Sequence, residues 1–129
     1  MTTASGQTVL VVDDRRDVAA TLAEMCRAEG YAAAIAEEGV DIRTLVERYR
    51  PAALIIDVMM PDQDGYEALK EIAAFDPALP VLLITGYGDT WLRMGATLGR
   101  AHGLRMLETA AKPVRTETVR QFLAKIPAS

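Results

Sequence analysis

Four places in the chain carry side chains able to do chemistry. Asp13 and Asp14 follow the apolar run Thr8-Val-Leu-Val-Val12, and Asp57 closes the run Leu54-Ile-Ile-Asp57. Thr85 ends Pro80-Val-Leu-Leu-Ile-Thr85, and Lys112 stands before Pro113. Three carboxylates brought together repel one another unless a cation sits among them. Oxygen donors with no nitrogen or sulfur beside them favour Mg²⁺, with Mn²⁺ or Ca²⁺ as alternatives. A lysine and a threonine hydroxyl facing such a metal suit a phosphoryl group, the lysine as a point charge and the hydroxyl as a hydrogen-bond donor. A carboxylate can also accept a phosphoryl group covalently, in a transfer governed by position and charge neutralisation. Asp57 is the candidate nucleophile.

The remaining composition narrows the field. The chain has 129 residues, 50% hydrophobic and 25% charged, with a formal net charge of -4. That suits one domain with a real core. There is no basic patch or arginine-rich run, so direct nucleic-acid binding is not expected. A single cysteine, Cys26, excludes an internal disulfide, and a single histidine, His102, excludes a histidine-cluster zinc site. The N-terminus lacks a signal-peptide pattern, and no apolar run approaches the ~20 residues of a membrane helix. The expectation is a cytoplasmic protein with no membrane contact.

For the polar residues to meet, the runs before them must be neighbouring strands. Short apolar runs bounded by turn residues read as strands buried on both faces, here 8–12, 31–36, 52–57, 80–85 and 104–109. Between them lie helical patterns. The first, with Val18, Leu22, Met25 and Cys26, is expected to start at an Asp17 cap and end at Gly30. The second carries Ile42, Leu45, Val46 and Tyr49 and stops at Pro51. The third carries Tyr66, Leu69, Ile72 and Ala73. The fourth, 89–101, is expected to be capped by Asp89 or Thr90 and to be weak, since Gly95 and Gly99 each cost up to ~1 kcal/mol against alanine. The last carries Val119, Phe122, Leu123 and Ile126. Five strand–helix alternations predict a parallel sheet covered on both faces. The predicted fold is α/β, a doubly wound (βα)5 flavodoxin-like three-layer sandwich with strand order 2-1-3-4-5. Residues 1–7 read as a disordered tail and 8–127 as one domain. In such sheets, ligands bind at the carboxyl ends of the strands, where all the candidate residues fall.

The segments Val11-Val-Asp-Asp14, Ile55-Ile-Asp-Val-Met-Met-Pro-Asp-Gln-Asp-Gly65, Ile84-Thr-Gly86 and Lys112-Pro113 together resemble the receiver domain of bacterial response regulators, the CheY-like superfamily of two-component signalling. The resemblance spans nearly the whole chain. It implies a phosphoacceptor switch rather than a turnover enzyme. Asp57 would take a phosphoryl group from a kinase phosphohistidine. Asp14 and Asp57 would hold Mg²⁺ (or Mn²⁺) directly with the main-chain carbonyl of Met59, and Asp13 would act mainly through a metal-bound water. Thr85 and Lys112 would hold the phosphoryl oxygens, the Lys112–Pro113 bond would be cis, and Gly65 would allow the turn after the site. The implied partners are a sensor histidine kinase or histidine phosphotransfer protein and a downstream output protein or domain. The implied state is a monomer or a weak phosphorylation-dependent dimer, with a switching surface around residues 86–109.

The sequence also departs from the pattern. An aromatic residue often stands three positions before the lysine, where this chain has Thr109. Arg15 follows the acidic pair, and Val114 stands where phenylalanine is commoner. The Thr109 departure sustains an alternative, a receiver-like interaction module that works without phosphorylation. A flavodoxin-type cofactor binder would want a small hydroxyl-rich loop where Asp13-Asp-Arg-Arg-Asp17 stands. A haloacid-dehalogenase-type phosphatase would want an aspartate at Met59. Asp62 and Asp64 read as loop solvation and capping, Cys26 as packing, and Trp91 as either core or an exposed contact.

Overall fold

A computed structural model describes residues 7–37, 39–60, 63–86 and 88–127. Residues 1–6 of the expected tail and Asp62 lie outside them. Gln7 is placed, its side-chain amide donating to the Pro127 carbonyl at 3.2 Å. Five parallel strands form the sheet: β1 (Thr8–Val12), β2 (Ala32–Ile35), β3 (Ala53–Asp57), β4 (Val81–Thr85) and β5 (Leu107–Ala111). Their spatial order is 2-1-3-4-5, as expected for a flavodoxin-like doubly wound sheet. Five helices connect and follow them: α1 (Arg16–Ala28), α2 (Ile42–Tyr49), α3 (Gly65–Phe75), α4 (Asp89–Ala101) and α5 (Thr116–Ala124).

The two-residue period of the strands divides the core between two faces. Leu10, Leu54, Ile56 and Leu83 meet apolar residues of α2, α3 and α4. Val9, Val11, Ile55 and Ile84 meet α1 and α5, with Phe122 fully buried among them. β1, β3 and β4 are therefore apolar except at their ends, because both of their faces are covered. On α1, Cys26 is fully buried in the second of these clusters. Burial in that apolar setting pushes its thiol pKa up to about 12.

Several element boundaries differ from the sequence expectation, each for a local reason. β5 begins at Leu107 rather than 104, because Leu104 closes α4 instead. Its N–H donates to the Gly99 carbonyl at 3.0 Å, after Gly103 has turned the chain at φ 111°. Tyr31 belongs to the end of α1, its N–H reaching the Cys26 carbonyl at 3.2 Å. The cap of α1 is Arg15, with no side-chain hydrogen bond, and Asp17 sits inside the first turn. Likewise Gly88 precedes α4 as its cap, at φ 104°, and Asp89 is already helical.

The α4 glycines, expected to weaken that helix, are buried on its packed face. A β-carbon at Gly95 would come within 2.4 Å of Leu83 Cδ2, and one at Gly99 within 2.6 Å of Leu107 Cδ2. Their lack of side chains lets α4 lie directly on β4 and β5. Gly65 meets a harder constraint. After β3 a two-residue-per-side hairpin (Met59–Met60 with Gln63–Asp64) turns the chain back, and Gly65 opens α3 against Val58. A β-carbon there would lie 2.5 Å from the Val58 carbonyl oxygen.

Gly65→Ala should therefore destabilise the domain by about 1–3 kcal/mol in urea denaturation. Gly86→Ala, whose new methyl would meet only Lys112 at 3.8 Å, should stay within about 0.5 kcal/mol of the parent. Cys26 gives a pH prediction. Above pH 9 the unfolded thiol loses its proton while the folded one keeps it up to about 12, so stability falls as pH rises through that window. Cys26→Ala should show a shallower alkaline decline, measured by denaturation at pH 8 to 11.

Candidate functional site

The register of the sheet sets the site. Val12 pairs with Ile56, Asp57 with Ile84 and Thr85 with Ala111. Asp13 therefore leaves β1 beside Asp57, and Lys112 leaves β5 beside Thr85. The Lys112 N–H donates to the Thr85 carbonyl at 2.9 Å, which extends the β4–β5 ladder by one residue. Thr85 itself is fully buried. The Lys112–Pro113 peptide is cis, as the resemblance implies.

Two carboxylates are buried here. The side chains of Asp13 and Asp57 are 0% and 3% exposed. The Lys112 ammonium bridges them. It donates to Asp57 Oδ2 at 2.7 Å and pairs with Asp13 Oδ2, also at 2.7 Å. Asp13 is held from its other side, Oδ1 accepting the Arg15 N–H at 2.9 Å. That side-chain-to-backbone turn fixes the carboxylate where β1 ends. It leaves Oδ2 buried and facing the Lys112 ammonium. Burial pulls the Lys112 pKa down, but Asp13 and Asp57 together outweigh it and hold the ammonium above the ordinary lysine value.

Asp14 is exposed at the rim. One oxygen from each of Asp13, Asp14 and Asp57 falls within 4.8 Å of the others. Three carboxylates against one ammonium leave the cluster negative, and the donors are all oxygen. With one oxygen of each carboxylate within reach of a common point, this arrangement fits a hard divalent cation. Met59 lies two residues beyond Asp57, its backbone paired with Asp64. Arg15 reaches Asp17 at 3.4 Å, a pair in which both side chains are exposed. Beside Lys112, Gly86 and Pro113 runs a groove of about 420 Å³ whose far wall is Val18, Leu22 and Met25 of α1.

Comparison with known proteins now decides the family. A model of the response regulator receiver domain matches residues 9–124. The chain belongs to this family. Among curated receivers and regulators, it is 37% identical over 83 residues to the transcriptional regulatory protein CreB of Escherichia coli, covering 64% of this chain and 36% of that protein. It is 39% identical over 77 residues to response regulator MprA of Mycobacterium leprae, covering 60% and 34%. The chain thus spans about a third of the length of these relatives. The structure of chemotaxis protein CheY4 of Vibrio cholerae superposes with a TM-score of 0.78 at 23% identity, over 95% of this chain and all of that one. A receiver domain protein of Methanospirillum hungatei gives 0.77 at 21%, over 94% and 93%. The two structures share the fold.

The structure brings Asp13, Asp14, Asp57, Thr85 and Lys112 to one edge of the receiver sheet. Thr109 does not join them. It is exposed on β5, opposite Leu83. One polar contact escaped the sequence reading. Tyr66, read as an apolar position of α3, donates its hydroxyl to the Trp91 carbonyl at 2.9 Å. The only signal for it was a tyrosine, rather than a plain hydrocarbon, in the first turn after the acidic loop.

Removing the ammonium leaves Asp13 and Asp57 uncompensated. Lys112→Ala should lower stability by about 1–2 kcal/mol at pH 7, below the 3–5 kcal/mol of a fully buried pair because Lys112 keeps contact with solvent. Added divalent cation should restore part of that loss, read as a rise in Tm that the parent shows more weakly.

Proposed function

We propose that this receiver is a phosphoacceptor switch, in which a phosphoryl group passes from a kinase phosphohistidine to Asp57 with Mg²⁺ present. One observation carries the reading: a lysine ammonium 2.7 Å from both Asp57 and Asp13, inside a set of three converging carboxylates. Asp13, Asp14, Asp57 and the main-chain carbonyl of Met59 would hold Mg²⁺, with Mn²⁺ as a substitute. When bound, the ion supplies positive charge that screens the carboxylates from the incoming phosphoryl oxygens.

In the transfer, a carboxylate oxygen of Asp57 forms a bond to phosphorus as the P–N bond to the donor histidine breaks. The departing imidazole takes up a proton from its own surroundings. Lys112 gives up its hold on the Asp57 carboxylate and pairs with a phosphoryl oxygen instead, a short movement from where its ammonium already lies. The Thr85 hydroxyl would donate to another phosphoryl oxygen. Asp13, fixed by the Arg15 N–H, keeps its position throughout. The chain modifies only itself, so it acts as a switch rather than as a catalyst of a separate substrate.

The donor would be a sensor histidine kinase or a histidine phosphotransfer protein. The groove beside Lys112, where Val18, Leu22 and Met25 of α1 alternate with Asp17 and Thr21, suits an amphipathic helix that carries the phosphohistidine. A transcriptional regulator such as CreB is longer than this chain, which supports an output by a further domain or a separate partner. The changed surface would lie around residues 86–109, on a cytoplasmic monomer or a weak dimer that forms on phosphorylation. No helix among the described residues is long and apolar enough to cross a membrane. The alternative, an interaction module that works without phosphorylation, rests on Thr109 and would leave Asp57 unmodified.

Intact-mass measurement after incubation with Mg²⁺ and acetyl phosphate should show one added phosphoryl group per chain. Asp57→Asn and a chelator control should each show none. A parent protein that gains no phosphoryl group and binds no beryllofluoride would overturn the switch and favour the alternative.

A further inference from the structure

Tyr66 ties the backbone behind Asp57 to the first turns of α4. Its place is set by a contiguous chain of close contacts. Val58, next after Asp57, donates its N–H to the Ile84 carbonyl at 2.9 Å, so it is pinned to β4. Gly65 is pressed against Val58, its own N–H directed at the Val58 carbonyl at 3.3 Å. No side chain fits between them. Tyr66 follows directly. Its hydroxyl donates to the Trp91 carbonyl, and its ring stacks on the Trp91 indole with centroids 6.4 Å apart and planes 25° apart. The same ring lies where a Gly95 side chain would be, 3.1 Å from the position of a β-carbon. One residue thus touches α4 at a carbonyl, an indole and a glycine one turn on.

The strand on the other side of α4 offers less. Beyond Leu107, β5 continues as Glu108-Thr-Ala-Ala111, with Thr109 exposed and no large apolar side chain. A movement of the chain behind Asp57 has a bulky, hydrogen-bonded handle on α4 through α3. Through β5 the contact falls at the far end of α4, where Arg100 donates to the Leu107 carbonyl at 2.9 Å.

We propose that Tyr66 couples the state of Asp57 to α4, so that Trp91 and the neighbouring Met94, both exposed, are repositioned when the site is loaded. This rests on the reading of Asp57 as a phosphoacceptor. The coupling is a claim about two arrangements of one element, so its test must compare the two states.

Trp91 is the only tryptophan in the sequence, so its emission reports on α4 directly. The experiment records Trp91 fluorescence and hydrogen exchange of 89–101, with and without Mg²⁺ and beryllofluoride, in the parent and in Tyr66→Phe. Phosphorylation by acetyl phosphate is measured separately by mass. The variant keeps the ring and loses only the hydroxyl. Its phosphorylation should equal the parent's, while most of the difference in α4 exchange and emission between the two states is lost. A purely structural tyrosine would instead raise α4 exchange equally in both states and preserve the difference. That result would overturn the proposal, as would a parent in which loading the site leaves α4 unchanged. A parent that takes no phosphoryl group would instead bring down the phosphoacceptor reading itself, which the mass measurement shows on its own.

Discussion

Two carboxylates cannot stay ionised inside a protein without a counter-charge, and this domain is arranged around supplying one. The Lys112 ammonium sits between Asp13 and Asp57 at 2.7 Å from each. That demand explains why β1, β3 and β5 end at a common level. Shifting any one strand by a residue would carry its polar terminus away from the others and turn its apolar set to the wrong face. The same demand explains why a cation is welcome. Lys112 satisfies two carboxylates imperfectly, and Asp14 at the rim adds a third charge that it does not reach.

The fold was legible because the sheet is buried on both faces. Each central strand is a short unbroken apolar run ending in a polar residue, so both its existence and its functional end can be read directly. The site was legible for the same reason, since Asp13, Asp57 and Thr85 each terminate such a run or follow it, while Lys112 was marked by the proline after it and by the family pattern. What the sequence concealed is where burial is local. Leu104 looks like the start of a strand, yet its apolar side chain serves to close α4. Asp17 looks like a helix cap, yet Asp13 already turns the backbone onto Arg15, and the helix starts two residues sooner.

The glycines of α4 show the limit of propensity. By composition they weaken the helix. In the fold they are where Leu83, Leu107 and Tyr66 come closest to its backbone. Intrinsic cost and packing gain act at the same positions, and only the tertiary neighbours tell them apart. Tyr66 was hidden in a similar way. Its ring satisfies an apolar pattern, while its hydroxyl does work that no periodicity records.

The back-to-back contact of Val58 and Gly65 has a consequence for how such a domain can diversify. The chain leaves the core at Val58 and returns at Gly65, where the N–H of one residue meets the carbonyl of the other at 3.3 Å. The two ends of the intervening segment are thus fixed by each other and by the Met59–Met60 and Gln63–Asp64 pairing just inside them. Lengthening a loop whose ends already meet costs little, about 0.6 kcal/mol for each doubling. Insertions between Met60 and Gln63 can reshape the rim of the acidic site without moving Asp57 or the start of α3.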